Sequence, residues 1–172
     1  MEFLIPGLIL VAFMAWASTR IKKNAAAAFD AETVETDDFT IRKPEGFLHV
    51  LNDSSGLAFR AYSKEFGKVG RQDVRQATVE VSIHKGYNIE SRRNVIESES
   101  DSIVVETPYI DGGEKALIIE SKRIENGAEF DTLYKLATRG IRTIEMRVSV
   151  LSEHREENSD KIEILLDGFQ PK

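Results

Sequence analysis

Three histidines are the residues best suited to acid–base or metal chemistry in this 172-residue chain. His49 follows the turn at Pro44 and Gly46, His84 sits near the end of an alternating segment, and His154 stands in a charged run. A general base or a metal ligand needs a positioned partner. None of the three has a second histidine, or a carboxylate at ligand spacing that stands out from the acidic background. The chain has no cysteine, which excludes thiol catalysis, thiolate metal sites and disulfides. No serine lies in a nucleophile-elbow pattern. "GKVG" at 67–70 reads as a short basic turn lacking phosphate-loop spacing, and "DGG" at 111–113 reads as a turn. The expectation is a domain with no catalytic residues, no metal and no cofactor, its histidines scattered over a turn, a wet strand face and a charged loop.

Recognition residues are the next candidates. Arg92 with Arg93, and Arg71 with Arg75, are basic pairs set among acids. They could dock an acidic partner or lipid headgroups, against the simpler reading of a solvated face. Tyr109, in "ETPYIDGG", reads as an exposed-loop aromatic of the kind that anchors contacts. Tyr109, Arg92 and Arg93 are therefore the candidate partner contacts. A net charge of −6 argues against nucleic acid, whose phosphates need a basic surface.

The elements that would position these residues read as an α+β domain. "FTIRKPEGF" is a short strand stopped by Pro44 and Gly46. "LAFRAYS" at 57–63 alternates Leu57, Phe59 and Ala61 against Ala58, Arg60 and Tyr62. In "ATVEVSIHK" the apolar Ala77, Val79, Val81 and Ile83 oppose Thr78, Glu80, Ser82 and His84, the pattern of an antiparallel strand with one dry face. Ile89, Ile96 and Ile103 recur at a spacing of seven with charges between, predicting a surface helix capped by Asn88. "ETPYIDGG" reads as a closing loop. "KALIIESKRI" joins "AEFDTLYKLATR" through Asn126-Gly127, a hairpin signal, and Gly140 turns the chain into "IRTIEMRVSVL". Asn158 or Ser159 caps a last helix whose Ile162, Leu165, Leu166 and Phe169 form the stripe that docks on the sheet.

The N-terminal region differs in kind. No charge interrupts 3–19, a stretch that includes Phe3, Leu8, Phe13 and Trp16, and Arg20, Lys22 and Lys23 follow it. Seventeen residues rising 1.5 Å each span roughly 25 Å, enough for a short membrane crossing. A secretory signal carries its basic segment before the apolar run; here Glu2 is the only side-chain charge before it. The small residues around Trp16 keep a cleaved signal as the alternative. Residues 1–28 are expected as a single transmembrane helix with a helical extension. The basic collar places the following domain in the cytoplasm, with the exported side as the alternative. Residues 29–38 carry five acids and no base, and read as a flexible or extended linker. The soluble α+β domain is 39–172.

The order of elements, with the opening Phe39, Pro44, Gly46 and Phe47 and the closing "LLDGF" helix, resembles the PsbP-like superfamily over about 39–169. That family is named for a photosystem II accessory protein and includes a Ran-binding nuclear import factor and many small bacterial lipoproteins or anchored proteins. The resemblance implies an αβα sandwich and a binding or assembly role in place of catalysis. The chain departs from the lipoprotein members in lacking a lipobox cysteine, and no family ligand site carries over. The expected function is a non-enzymatic, single-pass accessory or assembly subunit that binds a protein of a membrane complex. The alternative is a lipid- or small-ligand-binding domain, and the third reading is a membrane-tethered enzyme.

Overall fold

In the computed structural model, which describes residues 13–20, 25–51 and 53–172, the alternating segments become one large antiparallel sheet. Residues 13–20 form a helix, α1. Among the described residues there follow a short helical stretch at 25–27, twelve strands, two further α-helices and a 3-10 turn (Ser152–His154): β1 (Glu32–Glu35), β2 (Phe39–Lys43), β3 (Phe47–His49), β4 (Phe59–Ser63), β5 (Phe66–Val69), β6 (Gln72–Arg75), β7 (Ala77–Lys85), α2 (Ile89–Glu99), β8 (Ser102–Asp111), β9 (Glu114–Glu125), β10 (Ala128–Arg139), β11 (Arg142–Leu151), α3 (Ser159–Gly168) and β12 (Gln170–Pro171). Seven strands pair in the order β3-β4-β7-β11-β10-β9-β8, and β1-β2-β12 form a second sheet.

The first face of the large sheet is dry. Val79, Val81, Ile144, Met146, Val148 and Val150 are fully buried there against Phe39 and Ile41 of β2 and Ile162, Leu165 and Phe169 at the closing helix. α3 ends where Lys135 sends its ammonium to the carbonyls of Leu166 and Phe169, at 2.6 and 3.0 Å. A cation on the last carbonyls complements the helix dipole. Gly168 lets the chain pass Arg42 closely, since a Cβ there would collide with the Arg42 Cβ. Asn158 holds the cap position of α3 but makes no side-chain capping bond; its amide donates to the His154 carbonyl at 2.9 Å.

The β9–β10 hairpin turns as expected, with positive φ at Asn126 (52°) and Gly127 (83°). The Asn88 carboxamide caps α2 by accepting from the Ser91 amide at 2.8 Å. α2 covers one end of the second face, where Ile96 packs with Leu117, Ile119, Tyr134 and Leu136.

Four expectations need correction. The acidic segment within 29–38 is not a free tether, because β1 pairs with β2 and places Val34 opposite Ile41. Thr36 makes the turn between them, its backbone amide and hydroxyl both donating to the Phe39 carbonyl at 2.9 Å. The buried Lys43 ammonium also ties the Asp30 carbonyl to that of Phe47. "ETPYIDGG" is no loop: it is most of β8, the edge strand of the large sheet, and only the turn at Gly112 and Gly113 is loop. Ile103 lies on β8, beyond the end of α2, yet still packs against the Ile96 cluster. "GKVG" lies mostly in β5, whose hairpin with β6 turns at Gly70.

Of the proposed anchor, Phe3, Leu8, Lys22 and Lys23 lie outside the described residues. Phe13 and Trp16 are exposed on α1, with the Arg20 guanidinium 5.3 Å from the Trp16 ring. Among the described residues no helix is long and apolar enough to cross a membrane.

Candidate functional site

The second face of the large sheet carries much of the polar chemistry, because strand alternation sends Arg60, Thr78, Glu80, Thr132, Glu145, Arg147 and Ser149 there. α2 covers only one end of that face.

Under α2 lies a buried ion pair that sequence reasoning missed. Glu145 on β11 is buried, and Arg92 reaches it from the helix with Nε at 2.8 Å and Nη2 at 3.1 Å, a two-pronged contact. His84 Nε2 stands 3.5 Å from the same carboxylate, and Thr143 donates to the Tyr87 carbonyl at 2.7 Å beside it. Burial pushes the Glu145 carboxyl upward, but the contacts from His84 and Arg92 outweigh it and hold the group below the usual carboxylate range. Arg92 is thus engaged inside the domain, with its side chain mostly buried. Arg93 points the other way and pairs with Glu97 and Glu106, each at 2.9 Å.

The other histidines are separate from this pair. His154 Nδ1 lies 3.0 Å from Glu157, a neighbour visible in the sequence. His49 packs its ring 4.7 Å from that of Phe59, with Nδ1 3.9 Å from Glu32. Burial pushes the His49 imidazole pKa down, Glu32 opposes this and Lys43 adds to it. Among the described residues no three histidine or carboxylate side chains gather as a metal site would require.

Tyr109 is likewise repositioned. It is a half-buried residue of β8 rather than a loop tip, and its hydroxyl has no hydrogen-bond partner among the described residues. Burial raises its phenol to about 12, with Asp111 adding to the shift and Arg139 opposing it. Tyr109 lines a groove of about 500 Å³ between α2 and the β8 edge, together with Ile89, Pro108, Ile110 and Leu117. Glu90, Arg93, Glu106, Lys115 and Ala116 complete its lining. Along the same strand Val104, Val105 and Ile110 are exposed, Ile110 by 69%. A mostly apolar depression with a charged rim, built on a strand and a helix, can seat one side chain of another protein.

A second concavity, of about 420 Å³, lies on the uncovered end of the same face. Its lining mixes polar and apolar residues, and four arginines contribute to it: Arg60, Arg75, Arg123 and Arg147.

Comparison with known structures defines the class of fold. The domain has the PsbP-like architecture, an α+β fold of antiparallel sheets with few helices. It superposes on the solution structure of cyanobacterial PsbP (CyanoP) from Synechocystis sp. PCC 6803 with a TM-score of 0.61 and 11% identity, covering 84% of this chain and 94% of that one. LpqN of Mycobacterium tuberculosis, described as involved in cell envelope biogenesis, gives 0.60 at 9% identity over 83% and 91% of the two chains. The Ran-binding protein Mog1p of Saccharomyces cerevisiae gives 0.56 at 10% over 83% and 95%. No protein-family model and no curated protein sequence matches the chain.

Proposed function

We propose that this is a non-enzymatic, single-pass membrane protein whose PsbP-like domain binds a protein partner as an accessory or assembly subunit of a membrane complex. The observation that carries the binding half is the groove between α2 and β8, with Tyr109 in its wall and exposed Val104, Val105 and Ile110 along the adjoining edge. Its occupant is an apolar side chain of that partner, and the Arg93, Glu106 and Lys115 rim contributes orientation more than affinity. The edge itself is blunted against open-ended strand addition by Pro108 and by the register shift at Ile103/Val105. Side-chain docking therefore fits this site better than strand pairing does.

The anchor half rests on the uncharged run through Phe3, Leu8, Phe13 and Trp16 and the basic collar after it. The collar places the domain on the cytoplasmic side. The roles given for LpqN, cell envelope biogenesis, and for Mog1p, Ran binding, differ, which fits a scaffold that carries partner sites more than one shared reaction. Membranes containing the full chain and washed with alkaline carbonate should keep it in the pellet, and protease added to spheroplasts should leave the domain intact. A chain recovered in the wash and cut near Ala17 would contradict the anchor.

A further inference from the structure

The uncovered concavity on the second face has an ordered lining that the partner groove does not explain. Cross-strand register sets Tyr62, Thr78, Ser149, Thr132 and Ser121 side by side on five adjacent strands, a row of hydroxyl side chains across the sheet. One step along, Arg60, Glu80 and Arg147 form a parallel charged row. Thr78, Ser149 and Thr132 line the floor of the trough, and Val69 and Val74 of the β5–β6 hairpin contribute to its wall.

Three of the four arginines are held in place. Glu80 is shared by Arg60 at 3.4 Å and by Arg147, which donates a hydrogen bond to it. Arg75 is clamped with its guanidinium 4.3 Å from the Tyr62 ring and 3.9 Å from the Phe66 ring, while Nη1 donates to the Ser63 and Lys64 carbonyls at 3.0 Å. Arg123 makes no ion pair or side-chain hydrogen bond among the described residues. Among the lining residues Glu80 and Glu125 stand against the four arginines, and Asp53 outside the lining lies 3.8 Å from Arg60, so the trough stays positive within a chain whose net charge is −6. The held guanidinium groups of Arg60, Arg75 and Arg147 lose little freedom on binding, which favours an anion site, and Arg123 brings donors that no other described residue engages.

We propose that this trough binds a phosphate monoester, its phosphate taken by Arg123 and the spare donors of Arg147, with the Thr78 and Ser149 hydroxyls donating to its remaining terminal oxygens. A phosphate monoester carries about −1.5 to −2 charges at neutral pH, opposite in sign to the trough. Planar guanidinium groups pair its oxygens two at a time, and hydroxyls can donate to the remainder. The volume lies in the range of small-molecule sites, roughly 300–1,000 Å³. The phosphate could come from a soluble ester or a lipid headgroup, and both present the same chemistry to Arg123.

Calorimetry on the full chain in a zwitterionic detergent separates these cases, with glycerol 3-phosphate and dihexanoyl phosphatidic acid as the two probes and glycerol as control. Saturable binding of at least one phosphate probe is expected, with none for glycerol. Arg123→Ala should weaken it about tenfold or more, and Arg123→Lys by less, because one charge-assisted bond is lost outright in the first and replaced by a point charge in the second. Equal affinity for both probes assigns a soluble ester; tighter binding of the phosphatidic acid assigns a lipid headgroup. No saturable binding of either probe, or unchanged affinity in Arg123→Ala, overturns the proposal. This result is independent of the α2–β8 groove, since the two sites share no lining residue.

Discussion

Arg92→Ala should destabilise the domain by about 3–5 kcal/mol at neutral pH, the cost of leaving a buried carboxylate without its principal partner. Glu145 would keep His84 at 3.5 Å and lose both guanidinium bonds. For a domain of this size the melting temperature should fall by roughly 10 °C. The pH dependence has a definite sign. In the parent, the Glu145 carboxyl lies below its ordinary value, so its contribution is full above the unfolded carboxylate range and fades as pH falls through the folded value. Without Arg92, burial acts with less opposition and favours the neutral acid. The gap between variant and parent should therefore narrow on acidification. Replacing both partners with apolar residues, Arg92→Met with Glu145→Leu, should recover most of the loss. An Arg92→Ala protein that melts with the parent at neutral pH would return Arg92 to the solvated face.

Leu165→Ala should cost about 2–5 kcal/mol, read by chemical or thermal unfolding. Leu165 is fully buried between α3 and the first face of the sheet, in contact with the cluster formed by Phe39, Ile41 and Phe169. The cavity would open where the second sheet, the closing helix and the large sheet meet, and all three lose contacts together. Leu166, on the same helix, is only partly buried, so truncating it should cost less. Equal effects at the two positions would mean that α3 is not seated as described.

The contrast between those two residues shows what could be read from the chain. Central strands such as β7 and β11 are legible because one dry face places apolar residues at alternate positions, as at Val79 and Val81 or Ile144, Met146, Val148 and Val150, and Asn126-Gly127 marks its own turn. Edge strands escape that logic. β8 and β1 have one paired side, most of their residues face solvent, and Val34 alone marks β1 as part of a sheet. Their composition is then that of a loop or linker. The heptad of Ile89, Ile96 and Ile103 identified a real cluster but not its geometry, since a helix and a strand supply it jointly.

The polar sites were harder still. Alternation assigns Glu145 to the same face as Ser82 and Thr143, and nothing local says that a helix will cover it. Arg92 is separated from it by 53 residues, so the pair exists only after α2 folds back. The hydroxyl row is similarly invisible in one dimension, because Tyr62, Thr78, Ser149, Thr132 and Ser121 become neighbours only through register. Tyr109 was legible as a residue of interest, and its burial was not, because Pro108 beside it reads as a turn. The local pair of His154 with Glu157 was available from spacing alone, three residues apart at the start of a helical stretch.

The most direct test of the partner-binding account is site-specific photocrosslinking in intact cells, with a benzophenone amino acid placed at Ile110 and, separately, at Ile141. Both positions are highly exposed, at 69% and 82%, but only Ile110 lines the α2–β8 groove. The account predicts one discrete adduct from Ile110 with a membrane-embedded protein, diminished by Tyr109→Ala, and none from Ile141. No adduct at Ile110, or the same diffuse labelling from both positions, would contradict it.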